Sequence, residues 1–537
     1  MRYIFISGGV VSSLGKGLTA ACIGALLEAW GLRVLLKKFD PYLNVDPGTM
    51  SPFQHGEVYV LPDGSETDLD LGHYERFTDA KLDCSCSVSS GKIYEAIIRA
   101  ERRGDYLGET VQVIPHVTDE IKKHMASDED SGDVTIVELG GTVGDIEGMP
   151  YLEAIRQFIL ERGHGNVLHG HVALLPFLRV ADEIKTKPAQ QSVALLRGMG
   201  IQPHMLFCRT EKPIGEDIRK KLCLFCNVPP EGVIQELDVQ SIYEVPAMLH
   251  REGVDSFIVN HFSIGSGRRC DLSLWEEISA MAQRRDRHVS IAIVGKYVDL
   301  KDAYKSVYEA LEHSAIANGC HLHIGRIDAD SILDGNLDDI FSGFGGILIP
   351  GGFGCRGIEG KLAAIAHSRK KRIPFFGICL GMQLAAIDFA RNVIGLAGAN
   401  STEFDPHTPH PVVSMMDDQR DIATCGGTMR LGAYGCSAFE GTKLHRAYGA
   451  KSFRERHRHR YEFNGAYGGQ FEKSGMILSA VCDGGLVEAL EIADHPWFVA
   501  VQYHPEFQSK PLRPHPLFRD FIGAAAEIGK NNAAPDS

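Results

Sequence analysis

Pro374-Phe375-Phe376-Gly377-Ile378-Cys379-Leu380-Gly381-Met382-Gln383 joins an apolar, strand-like run to the start of a helix-like one through Gly-x-Cys-x-Gly. A sharp strand-to-helix turn needs small flanking residues, because side chains would clash there, and it leaves the thiol exposed near a helix N-terminus that favours thiolate. Further along, His504-Pro505-Glu506 closes the apolar run from Trp497 to Tyr503, which makes a base and an orienting carboxylate available. Upstream, Pro350-Gly351-Gly352-Phe353-Gly354 follows the strand-like Gly346-Ile347-Leu348-Ile349 and could aim backbone N–H groups at a developing oxyanion. A lone cysteine reads more readily as core, since free cysteine is among the most buried residue types. Nucleophile, base and acidic orienter together are what covalent acyl transfer requires: Cys379, His504 and Glu506.

These elements resemble the class I, or triad, glutamine amidotransferases, which hydrolyse the side-chain amide of glutamine and release ammonia. The resemblance implies an α/β domain around the elbow.

At 537 residues the chain exceeds what one hydrophobic core usually supports, so two or more domains are expected. Its 44% hydrophobic and 23% charged residues are those of an ordinary globular protein, and a net charge of -14 argues against a broad nucleic-acid or anionic-membrane surface. No apolar run approaches a bilayer span. The thirteen cysteines are scattered, and the opening Met1-Arg2-Tyr3-Ile4-Phe5 reaches a glycine turn without room for a signal-peptide core, so a reducing cytoplasm is expected. Cys223-Leu224-Phe225-Cys226, with no second pair, reads as a helix face rather than a zinc or redox site.

The N-terminal part opens with the strand-like Tyr3-Ile4-Phe5-Ile6-Ser7, the turn Gly8 to Gly17 and a helix to about Trp30, with Cys22, Ala25, Leu26 and Ala29 on one face. Apolar runs at 34–36, 134–137, 172–175 and 205–207, separated by helical stretches, predict a mostly parallel sheet covered on both faces. The expected division is a first domain over 1–265, a polar linker with a short helix over 266–288, and a second domain over 289–537.

The turn with Gly15-Lys16 reads as an anion cradle of backbone N–H groups, helix N-terminus and lysine charge. It departs from the strict phosphate loop: five residues separate Gly9 from Gly15, and Gly17 stands where Ser or Thr would offer a hydroxyl to Mg²⁺. Metal ligands must then come from other hard oxygen donors, with Asp70 and Glu138 the leading candidates.

Over nearly its whole length the chain resembles the CTP synthase family. The carrying segments include Gly8 to Gly17, Lys38 to Met50, Ser51 to Glu57, Asp68 to Phe77, Gly104 to Gly108, Glu138 to Glu147, Lys185 to Gln190, Gly377 to Gln383, Asn400 to Phe404, Gly426 to Gly432 and Arg456 to Glu462. The resemblance implies a P-loop-like (dethiobiotin-synthetase-like) first domain and ATP-dependent amination of UTP to CTP with ammonia from L-glutamine, through a 4-phosphorylated UTP. It assigns ATP, a co-substrate, to Ser13, Leu14, Gly15, Lys16, Gly17, Leu18, Lys38, Asp70, Asp238 and Val239, and Mg²⁺ to Asp70 and Glu138. The pyrimidine nucleotides UTP and inhibitory CTP would take Ser12, Asp145, Ile146, Glu147, Lys185, Thr186, Lys187, Pro188, Ala189, Gln190 and Lys221. Glutamine would be held by Gly352, Leu380, Gly381, Met382, Gln383, Glu403 and Arg460. His55, Pro52 and Val58 would line the ammonia route, Arg430 would respond to the activator GTP, and the assembly would be a homotetramer.

Some features depart from that pattern. Met415 to Cys425 looks short, Cys84, Cys86 and Cys355 stand where cysteine is not expected, and Gln240 replaces a frequent acid. Two rivals are a cobyrinate-type amidotransferase and a regulatory ATPase with a vestigial glutaminase domain. The Lys-Thr-Lys-Pro-x-Gln and Gly-His-Tyr-Glu-Arg-Phe segments argue against the first, and the intact triad against both.

Overall fold

The computed structural model describes residues 1–128, 131–265, 267–298, 300–415 and 429–532. They form two compact units, one of Met1–Pro47 with Asp70–Ser279, the other of Gly48–Leu69 with Ala280–Ser537.

The first unit is built on the strands Arg2–Gly9 (β1), Val34–Asp40 (β2), Ser87–Ser89 (β3), Val134–Leu139 (β4), Val167–Leu174 (β5), Met205–Thr210 (β6) and Val233–Leu237 (β7). They pair in the order β7-β6-β5-β1-β4-β2-β3, with every neighbour parallel. Every residue of β4 and all but the first of β1 are buried, so these strands read as continuous apolar runs rather than alternating ones. β1 lies at the centre and feeds helix α1 (Lys16–Ala29) through a loop in which Val10, Ser13 and Gly15 all have positive φ. Helix α2 (Asp70–Phe77) brings further side chains over that loop, while α3 (Lys187–Gly198) and α4 (Glu216–Cys226) follow β5 and β6. Cys223 and Cys226 lie on α4, as expected of a helix face, with Cys226 buried.

The second unit has strands Arg287–Gly295 (β8), Cys320–Asp328 (β9), Gly346–Ile349 (β10), Phe375–Ile378 (β11), Arg430–Ala438 (β12), Ser452–His459 (β13), Met476–Cys482 (β14), Val487–Ile492 (β15) and Phe498–Val501 (β16). The order is β9-β8-β10-β11-β16-β15-β14-β12-β13; pairs up to β16 are parallel and those beyond it antiparallel. Helices α5 (Lys305–Ala317) and α8 (Pro516–Asn532) contribute to a core with Phe376, Val499 and Val501, and α8 presents Leu517, Phe518, Phe521 and Ile522 at helical spacing. Helices α6 (Ile358–Lys371) and α7 (Leu380–Phe389) join a separate core with Ile347, Phe375 and Phe498. Cores drawn from alternate residues of the same strands place helices on both faces of the sheet.

Residues 48–69 group with the second unit for identifiable reasons. The Glu57 carboxylate accepts hydrogen bonds from Ser306 N at 2.8 Å and Ser306 Oγ at 2.5 Å, Tyr59 donates to Phe507 O at 2.8 Å, and Arg458 pairs with Glu66 at 2.6 Å. Tyr59 is fully buried. The interval expected as linker does contain a helix, Ser273–Gln283, and β8 begins at Arg287, two residues before the expected strand.

Candidate active site

Three adjacent strands, β10, β11 and β16, each hand one functional piece to the same sheet edge. β11 is followed at once by Cys379, whose φ of 53° and ψ of -104° are unusual for a residue with a Cβ. Neighbours hold that strain: Cys379 N donates to Val501 O at 2.7 Å, and Cys379 O accepts from Met382 N at 3.0 Å and Gln383 N at 3.2 Å. The glycine frame has a direct cause, since a Cβ on Gly381 would stand 2.4 Å from Ile349 O and one on Gly377 would stand 2.8 Å from Gly381 C. One expectation is corrected. The thiol is not exposed on the surface; Cys379 is 2% accessible.

Cys379, His504, Glu506, Gly351 and Gly352 line a cavity of about 210 Å³, shared with Val58 and Arg458. His504 Nδ1 and Glu506 Oε1 are 2.7 Å apart, which fixes the imidazole and leaves Nε2 for the Cys379 sulfur. A Cβ on Gly351 would come 2.8 Å from His504 Cε1 and 3.6 Å from Cys379 Cβ, so glycine is needed for the ring to approach the elbow. Burial by itself lowers the affinity of His504 for a proton, but the charges of Glu506 and Cys379 and their hydrogen bonds outweigh it and push the imidazole up to about 10. A buried imidazolium beside the sulfur can serve as the proton donor that a departing amine needs.

Gly354 N donates to Glu403 at 2.8 Å. Burial raises Glu403 above the usual carboxylate range, against the pull of Gly354 N, Lys296 and Arg460. Lys296 donates to Phe353 O, and burial lowers its own ammonium. A carboxylate flanked by Lys296 and Arg460 suits a zwitterion, whose amine and carboxylate need opposite partners. Leu380 and Gly381 open the first turn of α7, where N–H groups lack intrahelical acceptors, Met382 completes it with its N–H on Cys379 O, and the Gln383 side chain donates to Tyr461 O at 3.0 Å. Lys296, Arg458 and Gln502 escaped the sequence reading. The available signal for Lys296 was its place just past Gly295, at the carboxyl end of a parallel strand.

The remaining residues near this site are less gathered. His55 pairs with Asp68 at 3.0 Å, Val58 lines the cavity, and the side chain of residue 52 lies outside the described residues. Arg430 pairs with the buried carboxylates Glu488, at 2.6 Å, and Glu462, at 3.4 Å. Residues 416–428, which hold most of the apparently short segment and the start of the Gly-Gly-Thr-Met-Arg run, also lie outside the described residues. Cys355 and Cys84 are exposed, whereas Cys86 is buried.

The first unit has its own cluster. Lys38 Nζ sits 2.5 Å from Asp70 Oδ2 and 2.8 Å from Glu138 Oε1, and Tyr74 donates to the other Glu138 oxygen at 2.5 Å. Lys16 reaches back to Gly141 O at 2.7 Å; burial and the charge of Lys38 lower its ammonium, against the pull of Glu138, Asp70 and Asp40. Gly17 now has a reason: a Cβ there would lie 2.0 Å from Asp70 Oδ1. The carboxylate occupies space that a Ser or Thr side chain would need. Ser13, Leu14, Gly15 and Leu18 belong to this loop and helix start, and Asp238, just past β7 with Val239, pairs with Arg209 at 2.8 Å.

The expected pyrimidine residues make mainly local contacts. Lys185 pairs with Glu183 at 2.6 Å, Gln190 donates to Thr186 at 2.9 Å, and Asp145 accepts from Thr142 N at 2.9 Å. Lys187 and Pro188 open α3, where Ala189 is buried. Ser12, Ile146, Glu147 and Lys221 face outward, and Ile146 is 84% exposed.

Residues 2–264 match the model of the CTP synthase N-terminus, and residues 299–524 match the class-I glutamine amidotransferase model. A CTP synthase of Caldanaerobacter subterraneus subsp. tengcongensis is 54% identical over 535 residues, 99% of either chain. The chain belongs to the CTP synthase family. Another CTP synthase, from Pelotomaculum thermopropionicum, is 55% identical over 527 residues, 98% of either chain. The solved glutaminase domain of Trypanosoma brucei CTPS with bound acivicin is 40% identical; the match covers 44% of this chain and 94% of that one, with a TM-score of 0.42. CTP synthases are ligases that form C–N bonds, and full-length likeness to them supports that reading over the cobyrinate-type and regulatory alternatives. Among the described residues no helix is long and apolar enough to cross a membrane.

Proposed function

We propose that the chain converts UTP to CTP, with the second unit liberating ammonia from L-glutamine and the first activating the pyrimidine with ATP. The observation that carries this is the convergence of Cys379, His504 and Glu506 on one cavity. In the second unit the Cys379 sulfur adds to the side-chain amide carbon of glutamine. Backbone N–H groups near Gly352 and Leu380 receive the oxyanion, the C–N bond breaks, and His504 gives its proton to the departing ammonia. Water, deprotonated by His504, then attacks the thioester, releasing glutamate and restoring the thiol.

In the first unit a phosphoryl group passes from ATP to the uracil O4, yielding ADP. Ammonia then attacks C4 and expels phosphate to form CTP. Lys16, on the phosphate loop, stabilises the charge of the transferring group, with Lys38 beside it. Asp70 and Glu138 are hard oxygen donors gathered around one ammonium, a set that fits Mg²⁺, which when bound would neutralise phosphate charge. Ser12, Asp145 to Glu147, Lys185 to Gln190 and Lys221 receive the pyrimidine nucleotide in a homotetramer, which accounts for the exposure of Ser12, Asp145 to Glu147 and Lys221 in a single chain. GTP acts as activator through the Arg430 region, and the enzyme works in the cytoplasm, where its free cysteines stay reduced.

Purified enzyme given UTP, ATP, Mg²⁺ and glutamine should change the ultraviolet absorbance from that of UTP to that of CTP. Glutamine hydrolysis without that change, even with ammonium salts supplied, would defeat the proposal.

A further inference from the structure

Behind the nucleophile runs a short chain of amides whose orientation is decided at its far end. The Tyr461 carbonyl can only accept, so Gln383 must turn its NH₂ toward it, at 3.0 Å. The same NH₂ donates to Gln502 Oε1 at 3.4 Å. With its oxygen engaged, Gln502 directs its own NH₂ at Cys379 Sγ, 3.8 Å away. Gln502 is fully buried and Gln383 is 4% exposed, so bulk water does not compete for these bonds. Another partner of the sulfur, Arg458 O at 3.8 Å, is an acceptor. The two neighbours therefore favour opposite forms: Arg458 O suits the thiol, and the Gln502 amide suits the thiolate.

We propose that Gln502 is a catalytic hydrogen-bond donor to the Cys379 sulfur, stabilising the thiolate before attack, and that Gln383 positions it by fixing its amide. The inference rests on Cys379 being the glutaminase nucleophile. In the free enzyme the bond points a donor at the sulfur, to which Arg458 O presents an acceptor. During attack the sulfur's electron pair passes into the new S–C bond and the amide is released.

The test uses the full-length enzyme and the pH dependence of Cys379 alkylation by iodoacetamide without glutamine, followed as loss of glutamine hydrolysis and as modified peptide. Gln502→Leu removes the donor and Gln502→Glu replaces it with a carboxylate. The midpoint for alkylation should rise by about one pH unit in the first and further in the second, with kcat for glutamine hydrolysis about tenfold or more lower and KM within about threefold. Gln383→Leu, read only by alkylation, should raise the midpoint less, and it provides a second route if a Gln502 variant fails to fold. A wild-type midpoint in the well-folded variants, whether or not turnover falls, would overturn the proposal, because a purely structural role would not move it. Failure of the underlying reading looks different: Cys379→Ala would still hydrolyse glutamine.

Discussion

His504 shows how two contacts can reverse the effect of burial. An interior imidazole normally sheds its proton, yet Glu506 and Cys379 keep this one charged to about pH 10. Its folded value lies above the unfolded one of about 6.5, so the associated stability is fully present below about pH 6.5 and is lost as pH rises through about 10. In Glu506→Gln most of that contribution, on the order of a few kcal/mol, should be missing at neutral pH. Urea denaturation at a series of pH values should show a shallower alkaline decline in the variant than in the parent. Cys379→Ala tests the neighbouring role: glutamine-dependent CTP formation should disappear while ammonia-dependent formation persists, since only the acyl-transfer nucleophile is removed. Loss of both in a folded variant would contradict the assigned division of labour.

At the scale of an element, two glycines are required by different obstacles. Gly381 faces the backbone oxygen of Ile349, which sits in a paired central strand and has little freedom to retreat. Gly381→Ala should cost about 1–3 kcal/mol in denaturant unfolding and distort the elbow enough to remove most glutaminase activity. Gly17 instead faces the Asp70 carboxylate. Gly17→Ala should displace that side chain and reduce CTP formation from either nitrogen source by at least about tenfold, while glutamine hydrolysis continues; ammonium-driven CTP formation near the parental rate would show that Asp70 need not hold its place. The sequence identified both turns by their glycines but could not say what each would strike. Those obstacles, Ile349 O and Asp70 Oδ1, come from segments distant in the chain.

For the molecule as a whole, the proposed chemistry is divided between two units with separate cores. Lys16→Ala should abolish CTP formation with glutamine or ammonium as nitrogen source, because the phosphoryl step loses its charge stabilisation, and should spare glutamine hydrolysis. Paired absorbance and glutamate-release assays distinguish this from general misfolding. Normal CTP turnover in the variant would mean that the ATP loop lies elsewhere. The polar interval after residue 265 was visible as a break in composition, but the grouping of residues 48–69 with the second unit was not. Glu57, Tyr59 and Glu66 look like ordinary loop residues until Ser306, Phe507 and Arg458 are seen beside them.

Sequence alone determined the strand-turn-helix units, the roles open to Cys379, His504 and Glu506, and the need for metal ligands other than residue 17, because these follow from local backbone sterics and side-chain chemistry. Only the tertiary structure decided that the thiol is enclosed, that Lys38 gathers Asp70 and Glu138, and that Lys296 and Gln502 join the glutaminase site. Those outcomes depend on the order in which parallel strands pair. That order places strand ends side by side that are far apart in the chain, and no local pattern encodes it.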